Sequence, residues 1–478
     1  MSLVKVKEVR EALGTQGNNK ITLPPAAFFK AYDIRGVVGE DGLTPSNVER
    51  LGVSIAMLAR QFGQTTLVVG RDVRLSGASL QSALIKGLLA CGCDVIDIGV
   101  VSTPALYFAT HHLRTLAGVM VTASHNPPEY NGFKVVLAGR SITTAEINQL
   151  SEPVSVESAV ALGQYSDYTI DADYYNRILS SIKLTRSIKV VIDCGNGAAS
   201  QLAPELFSRL GCDVTPLFCE YDGSFPNHMP DPSQPENLTA LRRRVIEEGA
   251  ELGIAFDGDG DRLAVVDAVG NIIWPDSLMM VYAEALLKRD PGATIIIDVK
   301  SSRRLAQKIT ELGGNAVFWK SGHSLMKEKM RETHAALGGE LSGHVFFKDG
   351  WYGFDDGLYA AARLLEILSA QASTPSEYLS KFVDGYSTPE ILVTVAEGEA
   401  HRIINLLESQ LTQFEGDVLL IDGVRVDYAQ GWGLVRASNT MPCLTLRFEA
   451  ESEAALLTIQ AKFKTCLHTV CPTLNLPF

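Results

Sequence analysis

The fold is decided by a pattern that begins with Lys189-Val-Val-Ile-Asp193, a short run rich in β-branched residues. Apolar residues follow at three- and four-residue intervals from Leu202 to Leu210, and the chain then returns to a second run, Gly211-Cys-Asp-Val-Thr-Pro-Leu217. The two runs predict strands, and the spacing between them predicts an amphipathic helix. Glycine is common just past a helix because it adopts the left-handed conformation there. Strand, helix and strand in succession predict a β-α-β unit with parallel strands.

The same pattern occurs twice more in the chain. Strand-like runs begin at Thr66 and at Thr294, and each is followed by a helical stretch, a glycine (Gly92, Gly314) and a second run. Each copy then reaches a third apolar run that ends in a polar tip. Three copies predict three similar mixed α/β domains. Because ligands of open α/β sheets bind beyond the carboxyl ends of strands, the three tips predict one central cleft.

The repeats also predict the domain boundaries. From about residue 384 the pattern changes, which predicts a smaller C-terminal α+β domain. The predicted divisions are an N-terminal extension at 1–24 and four domains at 25–168, 169–271, 272–383 and 384–478.

Composition excludes several classes of protein. The 478 residues include 42 Lys and Arg against 55 Asp and Glu, a net charge of −13, whereas a general nucleic-acid binder needs a basic excess. No apolar run approaches the ~18 residues of a membrane span. The eight cysteines include no C-x-x-C pair, and charged residues stand near Met1 where a signal peptide needs apolar ones. We therefore expect a cytoplasmic protein that binds neither nucleic acid nor membrane.

The strongest chemical signal is Asp257-Gly-Asp-Gly-Asp-Arg262, which follows a predicted strand. Three carboxylates at alternate positions can direct several oxygens at one hard cation. An EF-hand would need glycine and glutamate at loop positions six and twelve, where this chain has Arg262 and Ala268. A plain solvated turn is the competing interpretation. Oxygen ligands without His or Cys favour Mg²⁺.

A second tip, Thr122-Ala-Ser124-His125-Asn-Pro127, carries a hydroxyl that could act as a nucleophile. Serine is a weak nucleophile unless a base or metal activates it. A serine hydrolase is disfavoured because the chain lacks the G-x-S-x-G elbow there. Taken alone, this segment is better interpreted as a strand-end turn.

Two further segments could bind a sugar phosphate. Glu340, Ser342 and His344 alternate in Gly339-Glu-Leu-Ser-Gly-His, and on a strand Glu340 and Ser342 would face one ligand. Arg436-Ala-Ser438-Asn439-Thr440 combines one cation with short donors, a composition suited to an anion. An ordinary turn explains either segment about equally well on its own.

Together, and in this order, these four segments resemble the signature loops of the α-D-phosphohexomutase superfamily. Tyr32-Asp-Ile-Arg35-Gly and Asp222-Gly-Ser-Phe-Pro-Asn resemble two further stretches of that family, so the resemblance covers about residues 27–478. The bacterial phosphomannomutase/phosphoglucomutase branch is most similar, because Glu340-Leu-Ser-Gly-His-Val-Phe-Phe resembles its sugar loop.

The resemblance implies an isomerase that interconverts hexose 1- and 6-phosphates. A phosphorylated Ser124 would transfer its phosphoryl group to the sugar, with glucose or mannose 1,6-bisphosphate as intermediate and activator. Mg²⁺ would be held by Asp257, Asp259, Asp261 and Ser124. Lys134, Arg262 and His125 would assist, with Lys134 as an acid or base.

The resemblance also implies a set of substrate-binding residues and a motion. Glu340 and Ser342 would hold the 3- and 4-hydroxyls, which are the same in glucose and mannose, and this would permit dual specificity. The fourth domain would close over the ligand by a hinge near residues 380–390, in a monomer or weak dimer. The implied substrate-binding residues are Tyr32, Arg35, Lys300, His323, Glu340, Ser342, His344, Arg436, Ser438, Asn439 and Thr440.

Three alternatives remain open at the level of sequence. A phosphoglucosamine mutase of the same superfamily usually has Gln where Leu341 stands. Phe256-Asp257-Gly-Asp259 also resembles the D-x-D tip of haloacid-dehalogenase-like enzymes, in which the aspartate is the nucleophile. A non-catalytic sugar-phosphate binding module is the third, although it would need no complete set of acidic ligands.

Overall fold

A computed structural model describes residues 23–152, 161–382, 385–438 and 442–478. The chain forms two compact units: unit 1 consists of the residues up to Trp274 together with Ser342–Tyr378, and unit 2 of Pro275–Leu341 together with Leu379–Phe478. Residues of the predicted third domain, 272–383, therefore occur in both units. Most of the predicted N-terminal extension lies outside the described residues. The four boundaries stay predictions.

Helices are distributed over the whole described chain. In order they are α1 Pro45–Gln61, α2 Gly77–Ala90, α3 Thr103–His112, α4 Thr144–Leu150, α5 Asp171–Leu179, α6 Leu202–Leu210, α7 Thr239–Glu248, α8 Pro275–Leu287, α9 Arg303–Glu311, α10 His323–Thr333, α11 Gly357–Ser369, α12 Pro375–Leu379, α13 Glu399–Glu408 and α14 Glu453–Val470. Local sequence explains where several begin. At α1, Thr44 and Asn47 form a reciprocal capping box, with Pro45 in the first turn, where its missing N–H has no helical partner.

Unit 1 contains two mixed sheets. The strands of the first are β1 Ile34–Val37, β2 Thr66–Arg71, β3 Asp94–Val100, β4 Gly118–Val121, β5 Tyr130–Leu137, β6 Arg140–Ser141 and β7 Tyr165–Asp167. Their order is β1-β5-β4-β2-β3-β7, with β6 paired to β5. Strands β4, β2, β3 and β7 run parallel, whereas β5 is antiparallel to both neighbours in that order.

The second sheet of unit 1 carries the acidic segment between two of its strands. Its strands are β8 Lys189–Asp193, β9 Asp213–Leu217, β10 Leu252–Phe256, β11 Leu263–Asp267 and β12 Ile272–Ile273, in the order β12-β11-β10-β8-β9. Strand β10 is parallel to β8 and antiparallel to β11, so residues 257–262 form the turn of a hairpin. Every residue of β10 is buried, which fixes the position of this turn.

Unit 2 contains a parallel sheet and an antiparallel one. The parallel strands are β13 Thr294–Asp298, β14 Asn315–Trp319 and β15 Leu337–Gly339, with β13 in the centre; the next strand along the chain, β16 Val345–Phe347, belongs to unit 1. The antiparallel sheet has the order β17-β22-β21-β20-β19, with β18 also paired to β22. Its strands are β17 Tyr386–Ser387, β18 Ile391–Thr394, β19 Asp417–Leu419, β20 Val424–Tyr428, β21 Gly431–Ala437 and β22 Cys443–Ala450.

The threefold strand–helix–strand pattern is confirmed, with two local corrections. Gly211 is left-handed, with φ 98°, but in the third copy the left-handed residue is Gly313, with φ 81°, and not Gly314. The helix of that copy ends at Glu311, and Gly313 takes the position where the chain reverses. Strand β15 ends at Gly339, so Glu340 and Ser342 lie beyond it and the argument from their shared strand face is wrong.

Candidate active site

The acidic segment places three carboxylates within ligand distance of one point. Asp257, Asp259 and Asp261 are fully buried, and one oxygen from each lies within 4.8 Å of the others. The Asp259 Oδ1 atom is buried and has no hydrogen-bond partner among the described residues. A buried oxygen without a donor is costly, and a hard cation would satisfy it. The donor set therefore fits a divalent cation with oxygen ligands.

Ser124 lies at this acidic cluster. Its Oγ donates to Asp257 Oδ2 at 2.6 Å and lies 3.4 Å from Nδ1 of His125. The residue follows β4 and has a left-handed backbone, with φ 51°, an unusual conformation for a residue with a side chain. A Cβ atom at Gly258 would overlap the Ser124 carbonyl oxygen, so glycine allows the two segments to approach.

Two cations balance the carboxylates in part. Lys134, from β5, donates to Asp259 Oδ2 at 2.6 Å and to Asp261 Oδ2 at 2.5 Å. Arg262 has its Nε 3.8 Å from Asp257 Oδ2. Three carboxylates thus contact two permanent cations, which leaves an excess negative charge in a buried place.

The pKa values of Asp257 and Asp261 are shifted in opposite directions. Burial raises the pKa of Asp257 well above its usual range, and the carboxylates of Asp261 and Asp259 add to the effect. At Asp261 burial acts in the same direction, but Lys134 and His344 outweigh it and hold the pKa well below its usual range. Burial disfavours the Lys134 ammonium, yet Asp259 and Asp261 raise the pKa of Lys134 well above normal. Lys134 is therefore charged at neutral pH.

Two predicted sugar-binding residues adjoin the acidic cluster in unit 1. Ser342 Oγ lies 2.8 Å from Nδ1 of His344. The other ring nitrogen of His344, Nε2, lies 3.2 Å from Arg262 Nε and 3.3 Å from Asp261 Oδ1. His344 is almost fully buried. These contacts join the sugar segment to the acidic one.

Arg35 and His125 lie on the side of the Ser124 segment. Arg35 donates to Asn126 Oδ1 and to Asp33 Oδ2, both at 2.6 Å, while Tyr32 precedes β1 in the same unit. Burial, together with Arg262 and Arg35, holds the pKa of His125 well below its usual range. His125 is therefore neutral at pH 7.

Unit 2 carries three further predicted substrate residues around the parallel sheet. Glu340 Oε1 accepts from the Gly322 backbone N–H at 2.6 Å, directly before α10. His323 is the first residue of that helix and is 5% exposed. Lys300 donates to Glu390 Oε1 at 3.3 Å. All three side chains are polar and buried, as expected of a site and not of a surface.

The predicted phosphate segment is only partly described. Arg436 lies within β21, is 5% exposed and donates from Nε to Asp422 Oδ2 at 3.0 Å. The Ser438 backbone N–H donates to the Cys443 carbonyl. Asn439 and Thr440 lie outside the described residues.

Sequence reasoning missed Thr103, which contacts the acidic segment twice. Its Oγ1 donates to Asp259 Oδ2 at 2.6 Å, and its backbone N–H donates to the Asp259 carbonyl at 2.8 Å. The surrounding Ser102-Thr-Pro is a common way to begin a helix, and it indicates only α3. No sequence signal connects two residues that are this far apart in the chain.

Comparisons with known proteins identify the family to which the chain is similar. Family models described as phosphoglucomutase/phosphomannomutase α/β/α domains I, II and III match residues 26–160, 172–270 and 274–386, and the C-terminal domain of the same family matches 390–465. Among the helices of the described part of the chain, none is long and apolar enough to cross a membrane.

Curated proteins and a solved structure are similar over nearly the whole chain. A phosphomannomutase/phosphoglucomutase of Pseudomonas aeruginosa is 50% identical over 455 residues, covering 95% of this chain and 98% of that protein. A phosphoglucomutase of Neisseria meningitidis is 47% identical over 448 residues, covering 92% and 97%. A crystal structure of a phosphoglucomutase/phosphomannomutase family protein from Burkholderia thailandensis has a TM-score of 0.89 at 47% identity and covers 95% of this chain and 99% of its own.

The fold and the site thus define an enzyme of the α-D-phosphohexomutase superfamily, an isomerase that acts on hexose phosphates. Within it, the chain belongs to the phosphoglucomutase/phosphomannomutase family. The predicted class of fold and enzyme is confirmed. A haloacid-dehalogenase-like enzyme does not explain matches to all four domains of this family. The identity to curated mutases over nearly the whole chain supports an enzyme and not a non-catalytic module.

Proposed function

We propose that the enzyme interconverts the 1- and 6-phosphates of both mannose and glucose through a phosphorylated Ser124. The observation that carries this proposal is the 2.6 Å contact between Ser124 Oγ and Asp257 Oδ2 inside a buried cluster of three carboxylates. Phosphoryl transfer needs positioning and charge stabilisation above all. A hydroxyl held against ligands of a divalent cation meets both needs.

In the first half-reaction, the Ser124 Oγ–P bond breaks as a new O–P bond forms to a free sugar hydroxyl, which gives the 1,6-bisphosphate. In the second, the O–P bond between the sugar and the other phosphate breaks as that phosphoryl group is transferred to Ser124 Oγ, and the Oγ proton is replaced by one on the sugar oxygen that is released. Asp257, Asp259 and Asp261 would hold Mg²⁺, which neutralises charge on the migrating group when it is bound. Lys134, charged and held by Asp259 and Asp261, would give a proton to Ser124 Oγ as it leaves and take up the proton that the attacking sugar hydroxyl loses, so that its charge is restored.

The remaining predicted residues would bind the substrate. Arg436 and Ser438 would hold the phosphate that does not react, and Glu340 and Ser342 would hold the sugar hydroxyls that glucose and mannose share. Arg262 and His344, which contact each other, would hold the reacting end. Dual specificity follows because no residue of this set is assigned to the epimeric 2-hydroxyl. The hinge near 380–390, the monomeric or weakly dimeric state and the cytoplasmic location stay predictions.

A coupled assay tests the substrate class. The enzyme is given mannose, glucose or glucosamine 1-phosphate with Mg²⁺ and a trace of glucose 1,6-bisphosphate. We expect turnover of the first two sugars at comparable rates and much slower turnover of the third. Preference for glucosamine 1-phosphate would instead assign the chain to the phosphoglucosamine mutases.

The covalent step is tested with Ser124→Ala and the control Ser79→Ala, whose hydroxyl donates only to the Ser76 carbonyl on the surface. Peptide mapping of the wild type should locate a hydroxylamine-stable phosphate within residues 118–134. We expect Ser124→Ala to lose phosphate and activity and the control to keep both. A hydroxylamine-labile phosphate on Asp257, or an active Ser124→Ala enzyme, would refute the mechanism.

A further inference from the structure

Behind the Ser124 segment lies a buried arginine that has no role in the proposed mechanism. The Arg74 side chain is fully buried, and each of its five N–H donors has an acceptor. Nε donates to Asp72 Oδ2 at 3.1 Å. The other four bonds go to main-chain carbonyl oxygens: Nη1 to Pro127 at 2.5 Å and Tyr130 at 3.0 Å, and Nη2 to Ser124 at 2.8 Å and Asn126 at 2.6 Å.

A second chain of hydrogen bonds leads from the same ion pair to Ser124. Thr122 Oγ1 donates to Asp72 Oδ2 at 2.7 Å and accepts from the Ser124 backbone N–H at 2.8 Å. Thus Arg74 holds the Ser124 carbonyl directly, while Asp72 holds the N–H through Thr122. Both polar groups of the Ser124 backbone are fixed by one buried Asp–Arg pair.

The segment 222–231, which the proposed mechanism leaves without a role, packs against this pair. The Phe225 ring lies over the Arg74 guanidinium, with 5.2 Å between Cζ and the ring centroid. A Cβ atom at Gly223 would lie 2.8 Å from the Arg74 Cα, so this glycine permits the approach. At its other end, the Pro230 carbonyl accepts from the Gly258 N–H of the acidic segment at 3.2 Å.

We propose that Arg74 is a positioning residue for phosphoryl transfer, and that it sets the orientation of Ser124 Oγ toward Asp257 through the backbone of residues 124–130. The proposal rests on the proposed function, because it requires phosphate on Ser124. Two planar Nη groups can reach four carbonyls at once, whereas a lysine ammonium has three donors on one atom. Positive charge alone therefore does not replace Arg74.

The backbone of Ser124 supplies the physical reason that such support is needed. A left-handed residue with a side chain is strained and persists only where its surroundings hold it. When that support is removed, Ser124 can relax to an ordinary conformation, which moves Oγ away from Asp257. A displacement of about 1 Å at a reacting atom lowers a rate by about 100-fold.

The test measures a single turnover of the full-length enzyme, phosphorylated on Ser124, with excess glucose 1-phosphate and Mg²⁺. The variants are Arg74→Lys and Thr122→Val, with the control Arg60→Lys, an arginine of α1 whose Nη1 donates to the Cys91 carbonyl at the end of α2. The measurement gives a rate of transfer and an amplitude, and the amplitude reports the fraction of correctly folded enzyme. KM for glucose 1-phosphate is measured in parallel.

We expect Arg74→Lys and Thr122→Val to lower the rate of transfer by about 10- to 100-fold, while KM changes by less than about 3-fold. Arg60→Lys should transfer at the wild-type rate. Valine has nearly the same shape as threonine, so Thr122→Val should fold normally. It therefore tests whether the Ser124 backbone must be held, even if Arg74→Lys folds poorly. A purely structural role would lower the amplitude and leave the rate unchanged.

Two results would overturn the inference alone. One is a wild-type rate of transfer in Arg74→Lys, because charge would then suffice. The other is a wild-type rate in Thr122→Val, because the connection from Asp72 to Ser124 would then be unnecessary. A wild-type enzyme with no transferable phosphate on Ser124 would overturn the proposed function, and this inference with it.

Discussion

Mg²⁺ should raise the thermal stability of the enzyme through the acidic segment. Asp257, Asp259 and Asp261 are fully buried and are balanced only in part by Lys134 and Arg262. A divalent cation would offset the negative charge of this acidic segment and would give the Asp259 Oδ1 atom a partner. Because the unfolded chain does not hold these three carboxylates in one fixed arrangement, the cation should bind the folded state more tightly than the unfolded one.

The size of the effect follows from mass action. A ligand present at 100 times its dissociation constant stabilises the folded state by about 2.7 kcal/mol. In domains of 150–250 residues each kcal/mol raises Tm by about 2–4 °C, so we expect a rise of about 5–10 °C. The rise should grow with the logarithm of the Mg²⁺ concentration once the site is saturated.

Differential scanning fluorimetry with and without Mg²⁺, after treatment with a chelator, measures this rise. Asp259→Asn should abolish most of the Mg²⁺-dependent rise, because an amide oxygen is a weaker ligand than a carboxylate. Asp213→Asn is the control, since Asp213 is exposed and lies away from the acidic segment on β9. The reasoning is refuted if Mg²⁺ leaves the wild-type Tm unchanged or if Asp259→Asn keeps the full rise.

Three other predictions concern single residues near the site. Thr103→Val should weaken Mg²⁺ binding by about 10- to 100-fold, measured by Mg²⁺ titration of activity, because Thr103 donates to Asp259. Lys134→Met should lower kcat by at least about 100-fold in steady-state assays, because a proton donor and a cation are lost. Burial opposes protonation of His228, but Asp193 outweighs it and raises the pKa of His228. The protonated ring therefore stabilises the fold fully below pH ~6.5, and this stabilisation is lost as the pH rises through the raised pKa. The Tm difference between wild type and His228→Gln should shrink over the same rise in pH.

Local sequence predicted the repeating units of this fold because each unit is built from short-range signals. The β-branched run at Lys189–Asp193, the helical spacing from Leu202 and the left-handed Gly211 all act within a few residues, and the structure has all three. The prediction at Gly314 was wrong by one residue because two adjacent glycines offer equivalent left-handed positions. Choice between them depends on packing, which the pattern does not contain.

Long-range organisation was less accessible to sequence analysis. The segment Ser342–Tyr378 belongs to unit 1, although it follows the strands of unit 2 along the chain. One cause is that α11 packs on the acidic hairpin, where a Cβ atom at Gly357 would meet the Arg262 carbonyl at 2.7 Å. Such an approach depends on the absence of a side chain, and a glycine at the first position of a helix gives no indication of its distant partner.

The residues of the candidate site likewise include some that local sequence predicts and some that it does not. Asp257 could be proposed from the residues themselves, because three alternating carboxylates follow a strand and polar side chains at strand ends tend to form sites. Ser124 taken alone indicated only a turn, and the family resemblance was needed to propose it as a site residue. Arg74 was not predictable, because four of its five acceptors are main-chain carbonyl oxygens. Every residue has a main-chain carbonyl, so no particular residue type in the segment 124–130 indicates that an arginine binds there.

Because Arg74 binds main-chain atoms, the Ser124 segment should tolerate some amino-acid substitutions better than others. Because Arg74 binds carbonyl oxygens of Asn126, Pro127 and Tyr130, its hold does not depend on which side chains occupy those positions. Substitutions there that preserve the backbone path should leave the orientation of Ser124 intact, whereas a change at position 74 removes five hydrogen bonds together. If the inference about Arg74 holds, the orientation of Ser124 depends more on a residue fifty positions earlier in the chain than on most of its immediate neighbours.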